Sequence, residues 1–144
     1  MLITSVKNGA ISGVKCCWFL IKIIIPVYFF ITVLKYSPAM DLLVSAFSPL
    51  MSIFHLPGEA AVPLISGFIL DEYAVIAAVK AMHITGFSIT IIAVMTLISH
   101  GLFIEAAITK KLGLSATFLT LYRLTASVIA GLALSLMGTV FNLW

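Results

Sequence analysis

The chain has 144 residues, 62% of them hydrophobic and 9% charged, with a net charge of +3. A soluble domain carries about 25% charged residues and keeps a polar surface. A mean hydropathy of +1.25 therefore excludes an ordinary soluble enzyme, a disordered tail and a nucleic-acid-binding module. The basic residues flank apolar runs and form no continuous patch, so nucleic acid is not an expected partner. The composition describes an all-α, polytopic membrane protein that forms a single membrane domain over residues 1–144, with the lipid bilayer as its first partner.

A bilayer core of roughly 30 Å takes about 20 apolar residues in a helix. The first such stretch runs from Cys16 to Tyr36, after an N-terminal cytoplasmic or interfacial segment at 1–15. Trp18 and Tyr36 stand at its ends, where amphipathic rings prefer the interface. Lys15 and Lys35 flank it, Lys22 is placed to snorkel, and Pro26 is a kink position. Ser37-Pro38 ends the helix, because the residue before proline disfavours helical geometry. Cys16 and Cys17 lack metal-ligand spacing and read as free thiols. No signal-cleavage pattern follows the stretch, so it reads as a retained anchor.

The middle of the chain is irregular. Asp41 to His55 is apolar but short and contains Pro49, and Leu56-Pro57-Gly58-Glu59-Ala60-Ala61-Val62-Pro63 follows. A second helical stretch is expected from Val62 to Met82. Two readings compete: an interfacial Asp41–His55 with Gly58–Val79 spanning, which makes four spans, or a re-entrant hairpin broken at Leu56–Pro63, which leaves three. Irregular backbone within the membrane is tolerated only where protein or a water-filled cavity satisfies it. The helix-break residues of this reading are Pro57, Gly58 and Pro63, with Gly101 at a second interruption, Ser99-His100-Gly101.

Ile84 to Ile108 is a long span stopped by Lys110-Lys111 and Leu112-Gly113. Ser115 is a suitable N-cap for a last span that runs to Val140, with Trp144 as interfacial anchor. The hairpin topology puts Lys7, Lys15, Lys22, Lys110 and Lys111 on one side against Lys35 and Lys80, five to two. Four spans divide the lysines four to three. The positive-inside rule favours the hairpin with a cytoplasmic N-terminus. Ser127, Gly131 and Ser135 recur every four residues, and Ala74/Ala78 and Ala77/Ala81 do likewise, spacings that let helices approach closely in lipid.

Ionisable residues inside membrane segments mark sites or structural pairs. Here they are Glu59, Asp71, Glu72, His100, Glu105 and Arg123. Ten residues, about 15 Å of helix, separate His100 from Lys110 and place His100 near the midplane. Glu59 either caps the helix after Pro57-Gly58 or contacts a cation, amine or hydroxyl. His100 is either a satisfied buried histidine or a ligand. Asp71-Glu72 either line a cavity or pair with Lys80. Glu105 and Arg123 are expected to form a structural ion pair between neighbouring helices. No metalloprotease, nucleophile-elbow or phosphate-loop pattern is present, so neither enzyme activity nor a cofactor is expected, and the residues leave a metal open.

The Leu56–Phe68 block, followed by Asp71-Glu72-Tyr73-Ala74, resembles the nucleoside recognition (Gate) family. Ser99-His100-Gly101-Leu102-Phe103-Ile104-Glu105-Ala106-Ala107, then Thr109-Lys110-Lys111-Leu112-Gly113, is similar to that family's second marked block, and the Arg123 helix to its last. The resemblance covers Asp41 to the C-terminus. Related domains form the membrane part of the ferrous iron transporter B protein. The break is also distantly similar to the Gly-Gln-Thr-Glu-Ala-Pro tip of concentrative nucleoside transporters, without the Gln-Thr. The resemblance implies a prokaryotic cytoplasmic (inner) membrane protein and half of an inverted-repeat transporter. That half-unit would bind a small polar or cationic solute at Glu59, Glu72, His100 and Glu105, and work as a homo-oligomer or with a paralogous Gate partner. The alternative is a non-transporting membrane subunit that scaffolds or regulates a larger complex.

Overall fold

The computed structural model describes residues 2–144. Met1, where the expected segment 1–15 begins, lies outside the described residues, as does the side chain of Lys35, expected to flank the first span. From Leu2 onward that segment continues into the first span as one helix, α1 (Leu2–Lys35), with Pro26 inside it. Thirty-four residues of helix reach about 51 Å, so part of α1 extends beyond a bilayer's hydrocarbon core. Lys22 Nζ lies 5.5 Å from the Trp18 ring centre, a cation–π contact on the outer face of this helix.

α1 ends as the sequence dictates. Ser37 is extended, its hydroxyl accepts from the Ala39 N–H, and Pro38 opens α2 (Pro38–Ser52) at a position where no N–H is needed. The Ser52 hydroxyl donates to the Pro49 carbonyl at 2.8 Å. His55 then takes a left-handed conformation at φ +53, a 3-10 turn covers Gly58–Ala60, and α3 (Ala61–Ile69) follows directly.

The second arm departs from expectation. Val62–Met82 is two helices, α3 and α4 (Glu72–Met82), separated at Leu70–Asp71. Leu70 leaves helical geometry at φ −102, ψ −104, and the extended Asp71 accepts the Ala74 N–H at 3.0 Å. A carboxylate that caps a new helix so well competes with continuation of the old one. Neither piece is by itself long enough to cross a bilayer.

The chain has three helical stretches long and apolar enough to cross a membrane, Ser5–Leu34, Phe87–Lys111 and Ala116–Val140, plus the shorter apolar helix Gly58–Ile69. The second stretch comprises α5 (Phe87–Ser99) and α6 (Leu102–Lys111); the third is the continuous α7 (Ala116–Val140). Ser115 caps α7 by accepting from the Phe118 N–H. Every described element is helical or a turn.

Small residues decide the packing. Ser127, Gly131, Ser135 and Gly138 form the buried face of α7 against α5. A Cβ on Gly131 would lie 2.6 Å from Met95 Sδ. The Ser127 hydroxyl donates across to the Met95 carbonyl at 2.8 Å. Ala74, Ala77, Ala78 and Ala81 are buried on α4, which packs against both α1 and α3. The outer faces are apolar: Phe29, Phe103, Phe118 and Val140 are each about 70% exposed or more, the arrangement expected of surfaces that meet lipid chains.

Candidate functional site

The His100–Gly101 interruption divides a helix that by length would otherwise cross in one piece. His100 is extended at φ −71, ψ 153, and Gly101 is left-handed at φ +56, a conformation that disfavours residues with a Cβ. Breaking a helix frees backbone groups that cannot be left bare in lipid, and neighbouring elements take them up. The Gly101 N–H donates to the Gly67 carbonyl at 3.0 Å. Arg123 Nε donates to the Ile98 carbonyl at 2.7 Å. The His100 Nδ1 lies 3.1 Å from the Leu97 carbonyl, which accepts when that nitrogen carries the proton.

Gly67 belongs to α3, just before the reversal at Leu70–Asp71, so the two interruptions are joined backbone to backbone. The contact is close. A Cβ on Gly101 would lie 3.3 Å from the Leu70 carbonyl oxygen, and one on Gly67 would lie 2.6 Å from Thr96 Cγ2. Two glycines on different helices let these breaks meet.

Ionisable groups surround the junction. Glu105 in the first turn of α6 pairs with the Arg123 guanidinium, and its other oxygen is 3.8 Å from His100 Nε2. The His100 and Glu105 side chains are 40% and 38% exposed, against 15% for Arg123. Glu72 opens α4. The Thr96 hydroxyl, 2.9 Å from the Ile92 carbonyl and 3.2 Å from Glu72 Oε2, divides its proton between them. Glu72 Oε1 is buried with no hydrogen-bond partner, and His100 stands within electrostatic reach of Glu72. Asp71 is occupied as the α4 cap.

Glu72, His100, Glu105 and Arg123 thus gather at the junction of the breaks, and Glu59 does not. Glu59 is half-buried in the 3-10 turn at the far end of α3. Nine residues of α3, about 14 Å, lie between. The caps at Pro57 and Ala60 carry no side-chain hydrogen bond. Pro57 is extended, and Gly58 opens the turn against α2, where a Cβ would sit 2.8 Å from Val44 Cγ1. Pro63 lies inside the first turn of α3, where its missing N–H costs no helical bond.

Two polar contacts had no distinctive mark in the sequence. His55 Nδ1 lies 2.7 Å from Ser135 Oγ, and its ring centre is 5.8 Å from that of Trp144, which binds the end of α2 to α7. The small-residue spacing of α7 singles out Ser135, but not its partner eighty positions earlier. Thr96 reads in sequence as an ordinary hydroxyl in an apolar run, yet it is fully buried beside Glu72.

A cavity of about 480 Å³ lies between α4 and α5, with Glu72 among its lining and Lys80, His83 and Thr85 toward the other end of α4. Among the described residues, no group of three or more His, Cys, Asp or Glu stands together as a metal site.

Three membrane-length helical stretches, one of them discontinuous, and a short helix pair that meets its interruption define a polytopic helical membrane protein built on broken helices. Transporters hold their solutes at such interruptions. The chain belongs to the Gate family, described as nucleoside recognition, whose match covers residues 17–142. The match takes in the latter half of α1 as well as the region from Asp41 onward. The uncharacterized membrane protein YvoD of Bacillus subtilis (strain 168) is 33% identical over 129 residues, 90% of this chain. The chain spans 41% of that relative's length. No solved structure matches it.

Proposed function

We propose that the chain is one half of a membrane transporter, binding a small polar or cationic solute where its helix interruptions meet and acting with a second Gate-type unit, a further copy or a paralogue. The observation that carries this reading is the hydrogen bond from the Gly101 N–H to the Gly67 carbonyl, with Glu72, His100 and Glu105 around it. The C-terminal end of α5 and the N-terminal ends of α4 and α6 converge there. Helix ends offer oriented partial charges, negative at C-termini and positive at N-termini, and broken helices in transporters use both to hold solutes and ions.

A second unit follows from exposure. His100 is the fourteenth residue of the 25-residue stretch Phe87–Lys111, close to its middle, and its side chain and that of Glu105 are more than a third exposed. Ionisable groups at that depth face protein or a water-filled cavity, not lipid chains. A neighbouring unit that covers this face supplies both. In this reading the helices of residues 41–82 enter from one side and turn back, and the N-terminus is cytoplasmic.

Uptake into proteoliposomes, measured with nucleosides and with organic amines, tests the reading. His100→Ala and Glu105→Gln are each expected to lower uptake at least tenfold while the protein still inserts, and Glu59→Gln less, because it lies off the junction. Unchanged uptake in the first two variants overturns the assignment. Cysteine accessibility at Gly58, Lys80 and Lys110, with Cys16 and Cys17 replaced by Ser, reads the topology. Labelling of Gly58 and Lys110 from opposite sides of the membrane is the expected result, and labelling from the same side refutes the turned-back hairpin.

A further inference from the structure

Resting on the transport reading, we infer that the cavity between α4 and α5 takes an amine with an apolar body, its ammonium held by Glu72. Glu72 contributes a carboxylate with unequal oxygens. One receives the Thr96 hydroxyl at 3.2 Å, while Oε1 is buried and lacks a donor. An acceptor buried without a partner costs free energy that an incoming N–H group recovers, and a charged donor recovers more than a neutral one. The cavity, about 480 Å³, falls in the range of small-molecule sites.

The walls narrow the ligand class. Val75, Val79, Ile89 and Ile92 line the space beside Glu72, and they offer no hydrogen bond. Along this stretch a polyhydroxylated solute would leave donors and acceptors unpaired, at a cost for each, because the other polar side chains of the lining, Lys80, His83 and Thr85, stand at the opposite end. Mg²⁺ and Ca²⁺ take six or more oxygen ligands, whereas the Glu72 end of the cavity holds one carboxylate and the shared Thr96 hydroxyl, and among the described residues no group of three or more His, Cys, Asp or Glu stands together. An amine with one cationic head and a hydrocarbon or aromatic body satisfies both the head group and the walls.

The far end of the cavity sets a second condition. Lys80 lines it eight residues beyond Glu72 on the same helix, two turns or about 12 Å away. Its ammonium repels a second cationic group at the tail of the ligand and weakens the field at Glu72. Monoamines are therefore preferred over diamines of equal length, and removal of the Lys80 charge tightens binding of a monoamine.

Calorimetric titration of the protein in phosphatidylcholine nanodiscs tests this with phenethylammonium, its neutral analogue 2-phenylethanol and its anionic analogue phenylacetate. Phenethylammonium is expected to bind at least tenfold tighter than either analogue. Glu72→Gln is expected to lose at least tenfold in affinity, Glu72→Asp to keep part of it, and Lys80→Gln to gain about threefold. Binding of 2-phenylethanol as tight as that of the amine would show an apolar or lipid-chain site and overturn the proposal. So would full affinity in Glu72→Gln, or no amine binding by the unaltered protein. If Glu72→Gln does not fold, the comparison between the three ligands still decides. Loss of uptake in His100→Ala without any amine binding would leave the transport reading standing and refute the ligand class alone.

Discussion

The broken stretch Phe87–Lys111 and the continuous helix Ala116–Val140 have equal length and lie side by side, yet one is interrupted in its middle and the other is not. α7 contains Gly131 and Gly138, and neither breaks it. Gly101 accompanies a break because partners exist there for the groups the break exposes. Gly67 offers a carbonyl, and Arg123 an N–H for Ile98. Gly131 and Gly138 face Met95 and Phe87 side chains instead, where the glycine serves close packing and the helix keeps its own hydrogen bonds. A glycine in an apolar helix makes interruption affordable, and tertiary partners decide whether it happens.

Substitutions on either side of this comparison should differ in size and kind. The largest effect is expected at Gly67, where a side chain meets Thr96. Gly67→Val should destabilise by about 3 kcal/mol, as overpacking of a tight contact does, read as a lowered unfolding midpoint in detergent together with lost uptake. Arg123→Ala strips a guanidinium from both the Ile98 carbonyl and Glu105, for a loss of about 2 kcal/mol. Arg123→Lys, which keeps the charge without the forked donors, should recover only part of it. An Arg123→Ala protein as stable as the parent would show that the break does not depend on α7.

Gly101→Ala forces a Cβ into left-handed backbone and should cost about 1–2 kcal/mol, with hydrogen exchange faster in α6 than in α7. Equal exchange in the two helices would mean that the break carries no strain of its own. The smallest effect is expected on the continuous side. Ser127→Ala removes one interhelical hydrogen bond to the Met95 carbonyl, worth about 0.6 kcal/mol in a membrane protein, and should leave uptake unchanged.

Much of this architecture is legible without coordinates. Ser37-Pro38 marks the junction of α1 and α2, Ser115 the start of α7, and His100-Gly101 a break, because capping and glycine chemistry are local. The Leu70–Asp71 reversal is not legible in the sequence, although its device is equally local: Asp71 caps a helix in the middle of an apolar run. Apolar periodicity continues through both halves and hides the stop. At the candidate site, Glu72, His100, Glu105 and Arg123 stand out as charges in lipid-compatible sequence. Thr96 and His55 do not, since a hydroxyl or an imidazole in such a run carries no sign of its partner.

By itself the sequence determined the solvent. An apolar majority with few charges can be buried only in lipid, lipid admits only helices or closed barrels that satisfy their own backbone, and apolar runs of about 20 residues select helices. It also marked where the helices weaken. Only the tertiary structure decided which weak points meet. Gly101 finds Gly67 thirty-four positions earlier, Arg123 reaches back to Ile98, and Glu59 is held apart by the length of α3. These outcomes depend on how helices cross, and a hydrogen bond between two helix ends exists only once packing has brought both to the same depth.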